Sequence, residues 1–111
     1  MSLADYLNTE NDDLINNPEY LRLMDSHIGF FKNHAENKIV TVTGLQADIY
    51  AGDLFGLLNV LNIGREYHYV VMRMNGFFSS GDFDGSITEF IVPSNTALSR
   101  VVAIYETRVM N

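Results

Sequence analysis

The run Tyr50-Ala51-Gly52-Asp53-Leu54-Phe55-Gly56-Leu57-Leu58, followed by Met72-Arg73-Met74-Asn75-Gly76-Phe77 and closed by Phe90-Ile91-Val92-Pro93, decides how this chain is read. Asp53 is a capping residue, and Leu54, Leu57, Leu58 and Leu61 recur behind it at helical spacing. Gly64 is the expected stop. A second helix is expected from Arg65 to Met74, with Tyr67, Val70, Val71 and Met74 on one side and Asn75-Gly76 as its terminator, since both residues tolerate left-handed backbone angles. Phe90 and Val92 then alternate with Glu89 and Ile91 into Pro93, a strand that ends where the backbone donor is lost. Upstream, Asp48-Ile49-Tyr50 reads as a short strand.

Working outward, Asn17-Pro18 marks a helix start, because Asn caps well and Pro suits the first helical position. Tyr20, Leu21, Met24, His27, Ile28 and Phe31 give that helix one apolar face from Pro18 to His34. Before it, Ser2 to Asp5 can form a capping box, and Asn8 to Asn17 reads as loop. Ile39-Val40-Thr41-Val42-Thr43 is β-branched and bracketed by Asn37 and Gly44, so Lys38 to Thr43 is expected as a strand. Phe78 to Ser86 reads as loop. Val101 to Thr107 is β-branched enough to be expected as a final strand.

Composition narrows the class of function. The chain has 111 residues, 47% of them apolar, with seven phenylalanines and six tyrosines, which suffices for one core. No run approaches the roughly 18 apolar residues of a membrane span, and no basic and apolar leader is visible at Met1 to Leu7. Fourteen acidic residues against seven basic ones give a net charge of −7, which disfavours phosphate backbones as partners. Neither nucleic acid nor membrane is therefore an expected partner. Cysteine is absent, so disulfides and thiolate chemistry are excluded together.

In order and spacing, the Gly52-Asp53-Leu54 start, the Met74-Asn75 helix end and the Ile91-Val92-Pro93 strand end resemble LysM modules. Those are small β-α-α-β units that grip cell-wall sugars or other proteins. The resemblance implies an α+β fold, with a LysM-like β-α-α-β core at 48–93. Around it would lie an N-terminal helical arm at 1–37, a strand and connector at 38–47, and a C-terminal arm or strand at 94–111. It also implies a shallow glycan groove formed by Ala51, Gly52, Asp53, Asn75 and Phe77. Here the Gly-Asp pair is shifted by one place relative to the helix hydrophobics, and the loop from Phe77 to Glu89 is longer than the family norm. Both departures fall on the sugar-binding part.

Asn62-Ile63-Gly64-Arg65-Glu66-Tyr67-His68-Tyr69, with Asn75-Gly76-Phe77, is similar to the LysM-like modules of contractile-phage baseplate and tail proteins. That resemblance implies a structural assembly component of a virion, made in the host cytoplasm, whose partners are other virion proteins. Its partner-binding arm residues would be Tyr20, Met24, Phe30 and Phe31 at one end and Val101, Ile104 and Tyr105 at the other. The outer strands would either add to a neighbour's sheet or pair with each other.

His27 and His34 are seven apart and lack a third ligand, so no metal site is expected. Asp82-Phe83-Asp84-Gly85-Ser86 alternates oxygen ligands but has its glycine fourth, where a calcium loop of the EF-hand type needs it sixth. No nucleophile-base set and no phosphate-cradling loop is present, so neither an enzyme nor a cofactor is expected.

Overall fold

The structure, a computed structural model, describes residues 17–110, with side chains as far as 107. The readings made for Ser2 to Asp5 and for Asn8 to Asn16 lie outside them. The described chain is a small α+β protein of six α-helices and one two-stranded antiparallel sheet. Helices α1 (Pro18–Ser26) and α2 (Ile28–Lys32) lead to β1 (Lys38–Thr41). Helices α3 (Gly44–Ile49), α4 (Leu54–Val60) and α5 (Arg65–Met74) follow. A 3-10 turn (Ser80–Asp82), β2 (Glu89–Val92) and α6 (Asn95–Met110) complete it.

Local chemistry explains most of these boundaries. The Asn17 side chain accepts from Glu19 N–H at 2.9 Å and Tyr20 N–H at 3.3 Å, and Pro18 opens α1. The helix expected to run unbroken to His34 stops at Ser26. The Leu23 carbonyl lies 2.9 Å from both Ser26 Oγ and His27 Nδ1, so side chains take the place of the backbone ladder there. Asn62, with φ at 61°, turns the chain out of α4, while Gly64 serves as the N-cap of α5 and not as the stop of α4.

Three readings need correction. Asp48-Ile49-Tyr50 is not a strand: Asp48 and Ile49 end α3 and Tyr50 is its C-cap, and the helix starts in a capping box where Gln46 N–H donates to Thr43 Oγ1 and Thr43 N–H to Gln46 Oε1. Val101 to Thr107 is not a strand but part of α6, whose first turn is held by Ala97 N–H donating to Ser94 Oγ at 3.1 Å. Tertiary packing overrides β-branching there, because Leu98, Val101, Val102 and Tyr105 form one buried stripe at helical spacing. The flanking strands are thereby reduced to one, and Lys38–Thr41 is no appendage. It pairs with β2, Val40 opposite Phe90 and Ile39 opposite Ile91.

Helix α5 is the centre of the molecule, buried on two sides. One side meets Tyr20, Leu23, Met24, Phe31, Leu98 and Val101 through Val70 and Met74. The other meets Leu54, Leu57, Leu58, Phe83, Phe90 and Val92 through Val71 and Met72. Leu54, Val71 and Val92 therefore share one interior, whereas Met74 belongs to the opposite one. Phe83 comes from the long acidic loop and is fully buried, with its ring centroid 5.6 Å from Phe90 and 6.0 Å from Phe77. Gly85, with φ at 85°, lets that loop run against α3, since a Cβ there would sit 2.9 Å from the Ala47 carbonyl oxygen.

Candidate binding cleft

The described parts of the two expected arms are not free. Tyr20, Met24, Phe31, Val101 and Tyr105 are all buried within the protein's own core, and the Tyr20 and Tyr105 rings meet edge to face at 5.5 Å. Intramolecular burial wins because α1 and α6 offer each other and α5 complementary apolar stripes. Of the seven expected arm residues, Phe30 and Ile104 remain outward-facing at 36% and 38% exposure. They are brought together, lining a shallow depression with His27 and Arg100.

The residues expected around a glycan groove are placed near one another but serve the fold. The Asp53 carboxylate caps α4, accepting from Gly56 N–H at 3.0 Å. Gly52 has φ at 84° and donates its N–H to the Phe83 carbonyl; Ala51 lies beside it, exposed. Phe77 packs on Phe83. Asn75 joins α5 to β2: its Nδ2 donates to Val71 O at 2.7 Å and Ile91 O at 2.9 Å, and its Oδ1 accepts from Ile91 N–H at 2.8 Å. Ile91 faces Ile39 in the register, and Val42 N–H donates to Thr88 O three positions along, an odd offset in a ladder whose hydrogen-bonded pairs alternate, so the Ile91 backbone groups point away from β1. Asn75 therefore satisfies the outer edge of β2. Replacing Asp53 with alanine is expected to cost about 1 kcal/mol through the lost cap, read as a lower urea midpoint with an unchanged slope.

Beside these residues the loops do converge, but the opening lies on the α4–α5 side. A cleft of about 690 Å³ is lined by Leu21, Phe55, Gly56, Asn59, Arg65, His68, Tyr69, Met72, Phe78, Ser79 and Ser80. Ala51, Gly52, Asp53, Asn75 and Phe77 do not line it. The loop is tied to the helix start by Phe55 N–H donating to Ser80 Oγ at 2.9 Å. It is also tied to itself, as Asp82 Oδ2 accepts from Phe78 N–H at 3.0 Å and Ser79 N–H at 3.1 Å. The carboxylates of this acidic loop thus organise backbone, with Asp84 accepting from Ser86 N–H. No group of three or more His, Asp or Glu side chains among the described residues could hold a metal ion.

The walls are ordered by stacking and charge. The His68 ring lies on Phe55 at 5.4 Å and 28°, and its Nε2 is 2.9 Å from Ile63 O. A carbonyl only accepts, so Nε2 carries the proton. The Arg73 guanidinium covers the Phe78 ring at 4.5 Å, while its Nε donates to Asp25 Oδ1 at 2.8 Å and its terminal nitrogen to Phe77 O at 3.2 Å. The Tyr69 hydroxyl donates to Asp25 Oδ2 at 2.7 Å. Burial, and then the adjacent Asp25 carboxylate, push the Tyr69 hydroxyl up to about 12.

Burial holds His68 below the usual imidazole range, partly opposed by the bond to Ile63. A depressed folded pKa means that the unfolded chain takes up a proton first as pH falls. The stability contributed by neutral His68 is then present above the unfolded value near 6.5 and lost as pH drops through the folded value. The urea midpoint is expected to fall as pH is lowered from about 7.5 to 5, and His68→Gln to flatten that slope.

The aromatic lining was missed from sequence because Phe55 and Phe78 stand beside helix boundaries and carry no spacing signal. Tyr69 and Met72 lie off the expected inner face of α5. The recurrence of aromatics next to each boundary residue was the available hint. Comparison with protein-family models, with curated proteins and with solved structures finds no match to this chain.

Proposed function

We propose that the chain is a non-enzymatic binding module built around a LysM-like β-α-α-β unit, acting as an assembly component of a virion, in a contractile-phage tail or baseplate. Support for the LysM-like part comes from the order β1, α4, α5, β2, with α3 inserted in the first connection, and from Asn75 joining the second helix to the closing strand. The unit would begin at Lys38 and not at Asp48, since β1 supplies the sheet partner.

The observation that carries the binding reading is the cleft, with Phe78 standing 79% exposed at its edge under Arg73. Ordering an exposed aromatic this way gives a preformed contact, which reduces what binding must immobilise. Further outward apolar side chains fit a subunit touched on several sides: Phe30 with Ile104, and Leu45 with Ile49 one helical turn apart on α3. Partners would then be other virion proteins.

Co-expression with the products of adjacent genes, followed by size-exclusion chromatography with light scattering, tests this reading. A stoichiometric complex with one of those products is expected. A chain that stays monomeric beside each of them, yet binds N-acetylglucosamine oligomers saturably in calorimetry, would be a cell-wall sugar module instead.

A further inference from the structure

The helix end that joins α5 to β2 is also a chemically reactive pair. Of the chain's asparagines, Asn75 alone is followed by glycine. Glycine has no Cβ to shield its backbone nitrogen, so that nitrogen can attack the preceding side-chain amide carbon and close a five-membered succinimide ring. The residue that permits the reaction is the one the turn requires. Gly76 has φ at 90°, and a Cβ added there would meet nothing within 4 Å, so the backbone angle and not space selects glycine. Gly76 is exposed and Asn75 half-buried, which leaves the pair open to water. Conformation and hydrogen bonding oppose the ring. Closure needs Asn75 Cβ and Gly76 N nearly eclipsed across the Cα–C bond, whereas at a ψ of 10° it is the backbone nitrogen of Asn75 that eclipses Gly76 N, and Cβ is turned away. The Asn75 amide is held on Val71 O and by both backbone groups of Ile91, and Gly76 N–H donates to Arg73 O at 3.2 Å.

We propose that Asn75-Gly76 is a self-modification site gated by the join between α5 and β2: closed in the folded protein, and open in any chain whose β2 has come away. The proposal is independent of what the cleft binds. In an open chain the Gly76 nitrogen gives its proton to solvent base and bonds to Asn75 Cγ. The Cγ–Nδ2 bond breaks, and that nitrogen leaves as ammonia with a proton from solvent. Water then opens the ring, either at Cγ to leave aspartate or at the backbone carbonyl carbon to leave isoaspartate, whose main chain runs through the side-chain carbons. An amide and a water become a carboxylate and an ammonium ion, with nothing oxidised or reduced, and the chain gains a negative charge. Neither product rebuilds the join. Aspartate lacks the amide donors that serve Val71 O and Ile91 O, and isoaspartate adds a carbon to the main chain at the turn. The reaction thereby marks, irreversibly, chains that have stayed open.

The test incubates the full chain at mildly alkaline pH, with and without unfolding urea, and follows the one-dalton gain of deamidation in digested peptides by mass spectrometry. In urea, Asn75 is expected to convert at least tenfold faster than any other asparagine, and Gly76→Ala to slow it at least tenfold. That arm uses unfolded chains, so it holds whether or not the variant folds. Without urea, conversion at Asn75 is expected to slow by at least the protection factor of the Ile91 amide in hydrogen exchange, since Asn75 cannot leave without freeing the Ile91 N–H. Asp84-Gly85, the chain's one Asp-Gly pair, rearranges without a change of mass and does not enter the measurement. Modified chains, separated by ion exchange and returned to native buffer, are expected to melt at least about 10 °C below unmodified ones. Native conversion faster than the Ile91 protection allows overturns the proposal. So does an Asn75 no faster than the other asparagines in urea, a Gly76→Ala chain as reactive as the original, or modified chains that melt with the unmodified ones.

Discussion

Val101→Asp is expected to unfold the protein at room temperature, whereas Ile104→Asp, three residues further along the same helix, is expected to lower stability by less than about 1 kcal/mol. Val101 is 1% exposed and sits in an apolar cluster with Tyr20, Met24, Met74 and Leu98, none of which carries a positive charge. A carboxylate there must either ionise without a partner or take up a proton, and either course costs several kcal/mol, comparable with the whole stability of a small domain, about 5–15 kcal/mol. At 38% exposure, Ile104 can turn a carboxylate toward water. Urea titration followed by far-ultraviolet circular dichroism reads both. The pair separates a C-terminal helix that belongs to the core from an arm that waits for a partner, since an arm would tolerate both changes equally.

Asn75→Ala is expected to cost about 2–4 kcal/mol. The side chain makes three hydrogen bonds, two of them to the Ile91 backbone groups that face away from β1. Truncation leaves a half-buried N–H and C=O on β2 without partners, and an unsatisfied buried group costs about 1–3 kcal/mol. Asn75→Asp should not rescue the loss, because it keeps the acceptor for Ile91 N–H while setting a carboxylate against two carbonyl oxygens. Thermal unfolding of the three proteins in one buffer gives the comparison. Equal midpoints would mean that β2 does not depend on Asn75.

The parts of the fold that were legible in the sequence were those fixed by short-range chemistry. Asn17-Pro18 opens a helix, Asp53 caps another, and Asn75 turns back to backbone, each as its side chain allows. The bounds of α5 and the positions of both strands follow the same logic. What was not legible depended on long-range packing. The β-branched run from Val101 to Thr107 is helical because Leu98, Val101, Val102 and Tyr105 are spaced to fit the groove between α1 and α5. That spacing is present in the sequence, where it competes with the local β-propensity of the same residues. Thr43 and Gln46, three apart, are a capping-box signal for α3, and the strand reading of Asp48 to Tyr50 passed over it.

The candidate site was less legible than the fold, for a related reason. Residues with recognisable roles, Gly52, Asp53 and Asn75, are used in capping and turning the backbone, so they could be found from local pattern. The cleft is made by their neighbours Phe55 and Phe78, whose positions follow from how α4, α5 and the loop meet. Phe78 in particular is ordered by Arg73, five residues earlier, and Arg73 is itself held by Asp25 from α1. The N-terminal helix thus reaches the site through a chain of contacts that no single window of sequence contains.

Native-state hydrogen exchange tests the central claim, that both ends of the described chain and the β1–β2 unit form one cooperative body around α5. The amides of Leu23, Val70, Phe90, Leu98 and Val102 are expected to share one opening free energy, equal to the global value from urea unfolding. Exchange of Leu98 and Val102 at a free energy several kcal/mol lower than that of Phe90 would contradict it, and would return the C-terminal segment to the status of an independent arm.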